Sequence, residues 1–240
     1  MRVPLKLKFY YFLSHFIQNK KTPNFSMDIP RDIRDGEEFS LEKLKKYLSE
    51  NSISNENLSL KQFPSGYSNL TYFLESSSKQ FVLRRPPFGA KSLQGGHDMF
   101  REYNVLKNLK SQFSKVPDVF LYCDNDDILG APFYLMERVE GYIIRPNLQQ
   151  KDSPGSKVIS SVSNSLVSTL VELHNVNIEQ ANLKNLGNID GYVKRQVNGW
   201  IKRYNHSKTD TIANMDFISS WLYENQPLEV GSSIVHNDFK

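Results

Sequence analysis

Three places in this 240-residue chain hold side chains that could do chemistry. His236-Asn237-Asp238 follows the β-rich run Ser233-Ile234-Val235. An aspartate at the mouth of such a loop can orient a hydroxyl or take its proton, with the histidine bracing the loop. Three residues alone recur by chance, and no His or Cys cluster nearby suggests a metal site. The second place is Glu102, which lies on the helical stripe of Val105, Leu106 and Leu109. A carboxylate on a stripe that faces a sheet needs a cation, or else sits at the stripe's wet edge. Arg84 and Arg85, ending the preceding strand pattern, are the nearest cations in sequence. The third place is "FPSGYSNLTY", which offers Ser65, Gly66, Ser68 and Asn69 between strand-like segments. Glycine permits close backbone approach there, and small polar side chains can bond an anion.

Other reactive types read as structural. His174 ends an apolar stripe, and His97-Asp98 starts a helix close enough to Glu102 to border the same cleft. Lys194, Arg195, Lys202 and Arg203 form a basic helical face, solvated by default and able to attract an anionic substrate tail. Cys123, the single cysteine, has no partner for an internal disulfide and no Cys-His signature around it. Its solitude favours a reducing compartment.

The elements that position these residues are legible from periodicity. "SLEKLKKYLSEN" predicts a helix with Ser40 as N-cap and Leu41, Leu44 and Leu48 on one face. "NLTYFLE" alternates, and the polar turn "SSSK" joins it to "QFVLRRPP" as a hairpin that Pro86 and Pro87 end. "HDMFREYNVLKNLKSQF" predicts a helix with Asp98 as N-cap, and strands "DVFLYCD" and "APFYLMERVEG" follow. After Gly141 the pattern turns helical. Val158, Val162, Leu166, Leu170 and Leu173 line one helix, and "GYVKRQVNGWIKRYN" and "TIANMDFISSWLYEN" give two more. "SSIVHNDF" then reads as a strand entering a loop. The expected fold class is α+β, with a β-rich lobe joined near Glu137–Gly141 to a helical one.

Hydrophobic residues at 39% and charged residues at 23% exclude a disordered or membrane-embedded chain, and no apolar run approaches the ~18 residues a span needs. The net charge of +4 is local: Arg2, Lys6, Lys8, Lys20, Lys21 and Arg31 face only Asp28 and Asp32 within residues 1–32. The rest is formally neutral and lacks the electrostatic footprint of a nucleic-acid binder. The N-terminal extension, without an acid before Asp28, reads as disordered or as an amphipathic organelle-targeting leader. The expected location is the cytoplasm, or an organelle if the extension is a leader.

In order, these signals are a Ser/Asn turn, a strand cation, a helix glutamate, an "ME" strand end, helices and H-x-D. The chain thereby resembles the aminoglycoside phosphotransferase/choline kinase family of kinase-like enzymes. "GYSNLTYFL", "FVLRRPPFG", "HDMFREYNVL", "GAPFYLMERVEG" and "GYVKRQVNGW" are similar to one subgroup, the kinase-like domains associated with acyl-CoA dehydrogenases. The resemblance runs from about Ile33 to Lys240 and implies a two-lobed protein-kinase-like fold. It divides the chain into an extension (1–32), a nucleotide-binding N-lobe (33–140) and a partial helical C-lobe ending in the catalytic loop (141–240).

The resemblance also implies roles. Arg84 takes the place of the phosphate-binding lysine, paired with Glu102. Ser68 and Asn69 match the phosphate-covering turn. Met136, Glu137 and Val139 belong to the hinge whose backbone binds adenine. Asp238 matches the catalytic aspartate of the H-G-D-x-x-x-x-N loop and His236 its histidine, with Asn237 replacing the glycine. The implied cofactors are ATP and Mg²⁺, with the metal ligands expected beyond Lys240. The implied activity is ATP-dependent phosphoryl transfer to a small-molecule hydroxyl, a hydroxyacyl-CoA-type substrate being suggested by the subgroup along with a functional link to an acyl-CoA dehydrogenase. A chain without the metal ligands is expected to be an inactive fragment. The rival reading is a non-catalytic pseudokinase or interaction module.

Overall fold

The computed structural model describes residues 29–54, 57–64, 69–89, 97–141, 155–188, 190–228, 231–237 and 239. Five strands, β1 (Ser59–Gln62), β2 (Leu70–Glu75), β3 (Gln80–Arg85), β4 (Val119–Cys123) and β5 (Phe133–Glu137), form one sheet in the order β1-β2-β3-β5-β4. Every neighbouring pair is antiparallel. The β2–β3 hairpin closes as the sequence predicts: Ser76 N–H donates to the Lys79 carbonyl across the tip at 2.8 Å.

Helix α1 (Leu41–Glu50) begins at Ser40, whose hydroxyl accepts from the Lys43 N–H. It buries Leu44 and Leu48 among Leu58, Leu70, Tyr72, Leu74, Phe81, Leu83, Phe133 and Leu135 on one sheet face. Burial of each such leucine contributes about 1.5–3 kcal/mol. By alternation the opposite face carries Val82, Arg84, Tyr134 and Met136, and the register pairs Val82 with Met136 and Arg84 with Tyr134. Helix α2 (Met99–Leu109) starts at Asp98, whose carboxylate accepts from the Arg101 N–H at 2.9 Å. It packs Phe100 and Tyr103 edge-on or tilted against Tyr122, at 5.2 and 5.7 Å between ring centroids.

Two features escape the sequence pattern. Helix α3 (Asp126–Leu129) is a single turn between β4 and β5, capped by Asn125 and stopped by Gly130 at φ 77°. Strand β1 is short, with only Gln62 buried. One expectation is corrected: residues 233–235 form no strand, because no described strand lies alongside to take their backbone hydrogen bonds.

The chain forms two compact units. The first runs to Leu183 and takes in the segment from Ile234 onward. It holds the sheet, α1 to α3 and helix α4 (Ser156–His174), whose Glu172 meets Lys115 at 2.5 Å. On α4, Leu173 is buried and Val158, Val162, Leu166 and Leu170 are half-buried. The second unit, Lys184–Ser233, contains helices α5 (Tyr192–Ser207) and α6 (Met215–Glu224). On its surface Arg195 donates to the carbonyls of Asn188 and Asp190, bracing the loop before α5.

Candidate functional site

The end of β3 decides which arginine meets the helix carboxylate. Successive residues of a strand point to opposite faces, so Arg84 and Arg85 cannot both reach α2. Arg84 does: its Nε lies 3.2 Å from Glu102 Oε2 and its Nη2 3.5 Å from Oε1. The pair is largely enclosed, with side chains 14% and 17% exposed. Arg85 lies on the α1 face and is 1% exposed. Its Nε donates to the Pro86 carbonyl at 3.2 Å, and its guanidinium sits 3.7 Å from the centroid of the Phe88 ring. Loss of hydration on burial lowers the Arg85 pKa, opposed by Tyr72, Asp126 and Glu37.

A buried carboxylate persists only if both oxygens are satisfied, and Glu102 meets that demand. Besides Arg84, Oε1 accepts from Asn69 Nδ2 at 2.9 Å and Oε2 from the Tyr134 hydroxyl at 3.0 Å. Asn69 is 4% exposed at the start of β2 and turns its amide toward α2. His97 Nδ1 lies 2.7 Å from Asn69 Oδ1. The sequence nominated Arg84, Glu102 and Asn69 separately, and the fold brings them together. Tyr134 was not singled out, although its place two residues before Met136 on the same strand face was the available signal. Ser68 lies outside the described residues.

The segment expected to form the hinge continues from β5. Met136 is buried opposite Val82, two residues along the strand from Tyr134. Glu137 is tied to the loop before β4: its N–H donates to the Asp118 carbonyl at 2.8 Å, and its carboxylate accepts from the Asp118 N–H at 3.1 Å. Val139 is half-buried and outside any strand. Arg138, inside that segment, donates to Gln80 Oε1 at 2.7 Å and lies 4.6 Å from the Phe73 ring centroid, fastening the segment to β2 and β3.

In the C-terminal segment His236 is buried, with its ring 5.4 Å from that of Phe239 in an edge-on contact. Asn237 adopts φ 63°, the left-handed region that glycine favours and that asparagine tolerates better than most residues. Replacement of the family's glycine is therefore compatible with this backbone. Asp238 lies outside the described residues. Among the described residues no group of three or more His, Cys, Asp or Glu side chains is placed to hold a metal ion.

Comparison with known proteins bears on the family and the fold. Residues 59–240 match the model of the APH phosphotransferase enzyme family. The chain is 38% identical over 223 residues to acyl-CoA dehydrogenase family member 11 of Rattus norvegicus, covering 89% of this chain and 28% of that protein. It is 32% identical over 225 residues to family member 10 of Mus musculus, covering 93% of this chain and 20% of that protein. The chain thus spans less than a third of either relative. A Ralstonia eutropha protein assigned as an aminoglycoside phosphotransferase superposes with a TM-score of 0.71 at 28% identity, covering 84% of this chain and 59% of that one. No helix of the described residues is long and apolar enough to cross a membrane. A five-stranded sheet with a cation–carboxylate pair beneath it, in a chain matched over residues 59–240, makes this chain a member of the APH phosphotransferase family, with that family's kinase-like fold.

Proposed function

We propose that the chain carries the nucleotide-binding lobe and catalytic loop of an ATP-dependent phosphotransferase whose acceptor is a small-molecule hydroxyl. The observation that carries the reading is the Arg84–Glu102 pair, enclosed beneath β3 and held from both sides by Asn69 and Tyr134. Phosphoryl transfer asks little covalent chemistry of the protein and much positioning of charge. A guanidinium fixed by a carboxylate is a preorganised partner for phosphate oxygens. In this reading Arg84 holds the α- and β-phosphates, Ser68 belongs to the turn over them, and the backbone from Met136 to Val139 receives adenine. Asp238 orients the acceptor hydroxyl and takes its proton, and His236 braces the loop. Mg²⁺ neutralises phosphate charge when bound with ATP.

The lobes of this reading are residues 33–140 and 141–240, and its compartment is the cytoplasm. The names of the relatives, acyl-CoA dehydrogenase family members 10 and 11, favour a hydroxyacyl thioester as acceptor and a functional link to such a dehydrogenase. Turnover is assigned to the complete protein, since the chain spans 59% of its structural neighbour. A panel of hydroxyacyl-CoA thioesters, aminoglycosides and choline offered to that protein would rank the acceptors.

The direct test is thermal unfolding of this chain with Mg·ATP. At a hundredfold excess over Kd, binding adds about 2.7 kcal/mol, and the midpoint should rise by roughly 5–10 °C. An unchanged midpoint at millimolar Mg·ATP would sink the nucleotide reading and favour a non-catalytic interaction module.

A further inference from the structure

We propose that His97 is a positioning residue of the phosphate clamp, acting through Asn69; the proposal rests on the reading of Arg84–Glu102 as that clamp. The Glu102 carboxylate, paired with Arg84 at 3.2 Å, accepts hydrogen bonds from its neighbours. Asn69 must therefore turn its Nδ2 toward Glu102, at 2.9 Å. The opposite amide orientation would set Oδ1 against the carboxylate, two acceptors facing one another. With Nδ2 committed, Oδ1 faces His97 Nδ1 at 2.7 Å. An amide oxygen cannot donate, so Nδ1 must carry the hydrogen and the neutral ring must hold the Nδ1–H tautomer.

This gives a chain of donors running one way: His97 Nδ1–H to Asn69 Oδ1, then Asn69 Nδ2–H to Glu102 Oε1, with Arg84 on the far side of the carboxylate. Hydrogen bonds in series polarise one another, so the histidine strengthens the amide's grip on Glu102. Both ends of the chain belong to the start of α2. His97 immediately precedes the N-cap Asp98, and Glu102 lies in the first turn. One buried asparagine at the start of β2 is thus held by two residues of the same helix end. That grip sets how far α2 stands from β3, and with it whether Glu102 can hold Arg84. Asn69 serves the clamp here by fixing its carboxylate, and its side chain is committed to that contact.

The proposal is tested on the 240-residue chain in two ways. Long-range ¹H–¹⁵N NMR without nucleotide should show an imidazole in the Nδ1–H form that is absent from His97→Asn and reverts to the ordinary Nε2–H form in Asn69→Ala. Titration with Mg·ATP should then show His97→Ala binding roughly five- to tenfold more weakly than wild type, the loss expected when a hydrogen bond supporting a charged group goes. His97→Asn, whose Nδ2–H can replace the ring donor, should stay within about twofold of wild type. Thermal melts check that each variant is folded. An Nε2–H tautomer in the wild type overturns the proposal, and so does a His97→Ala variant that binds Mg·ATP as tightly as wild type. If the wild-type chain fails to bind Mg·ATP while His97 keeps the Nδ1–H form, the nucleotide reading falls and takes the role of His97 with it, leaving the bond network as structure alone.

Discussion

Adjacent arginines have opposite fates on β3, and their chemistry should separate cleanly on mutation. Arg84 is tied to Glu102 beneath the sheet, and Arg85 is sealed on the α1 face against Phe88. Replacing a well-buried charge by an apolar side chain of similar volume is often neutral or stabilising. Arg85→Met should therefore keep the unfolding midpoint within about 3 °C of wild type and leave Mg·ATP affinity unchanged. Arg84→Met should weaken Mg·ATP binding by roughly ten- to a hundredfold, because it removes a charge-assisted contact and strands Glu102. Calorimetric titration of both variants decides the assignment, and the opposite ranking would transfer the clamp to Arg85. A second residue-scale prediction concerns Asn237 at φ 63°. Asn237→Gly should be nearly neutral, whereas Asn237→Val should cost about 1–3 kcal/mol, since a β-branched side chain is strained in the left-handed region. Equal denaturation midpoints for the two variants would argue against this backbone conformation.

At the scale of elements, the sheet is locked to the segment before α1 by a tyrosine. Tyr72 on β2 is fully buried and donates through its hydroxyl to the Glu37 carbonyl at 2.7 Å. Burial pushes its pKa well above the ordinary 10.0, and burial with the Cys123 contact pushes Tyr47 on α1 up to about 12. These groups ionise more readily in the unfolded chain than in the folded one. Their stabilising contribution is fully present below pH 10 and is lost as pH rises from 10 through the folded-state values. Stability measured by chemical denaturation should fall from about pH 10 upward. Tyr72→Phe should cost about 1–2 kcal/mol at neutral pH by leaving the Glu37 carbonyl unpaired, and should flatten the alkaline slope. An identical alkaline slope in that variant would remove Tyr72 from the account. Helix α2 was legible to its first residue, because the Asp98 cap and the Glu102 stripe are local facts. Helix α3 was not, since four residues between two strands give no period to read.

At the scale of the whole molecule, family membership puts the Arg84–Glu102 pair and the segment around His236 within one kinase-like fold. The division of labour proposed for them is testable by mutation in the complete protein. Asp238→Asn should abolish phosphoryl transfer while leaving Mg·ATP affinity within about threefold, because a residue that serves the acceptor hydroxyl adds little to ground-state nucleotide binding. Single-turnover assays with labelled ATP make the check, and turnover near the wild-type rate would refute the role.

The sequence by itself determined the α+β class, the β2–β3 hairpin, the caps at Ser40 and Asp98, and the ordered motifs that carry the family resemblance. All of these follow from period, capping chemistry and turn residues, which act over a few positions along the chain. It also placed Glu102 on an apolar stripe, where other groups must hold the carboxylate unless it sits at the stripe's wet edge. Only the tertiary structure decided which groups do so. Asn69 comes from 33 positions before Glu102 and Tyr134 from 32 after it, and contacts that distant depend on strand order and register. The same register turned Arg84 inward and Arg85 away. A side chain's type could be read from the chain, but its partner was fixed when the sheet closed.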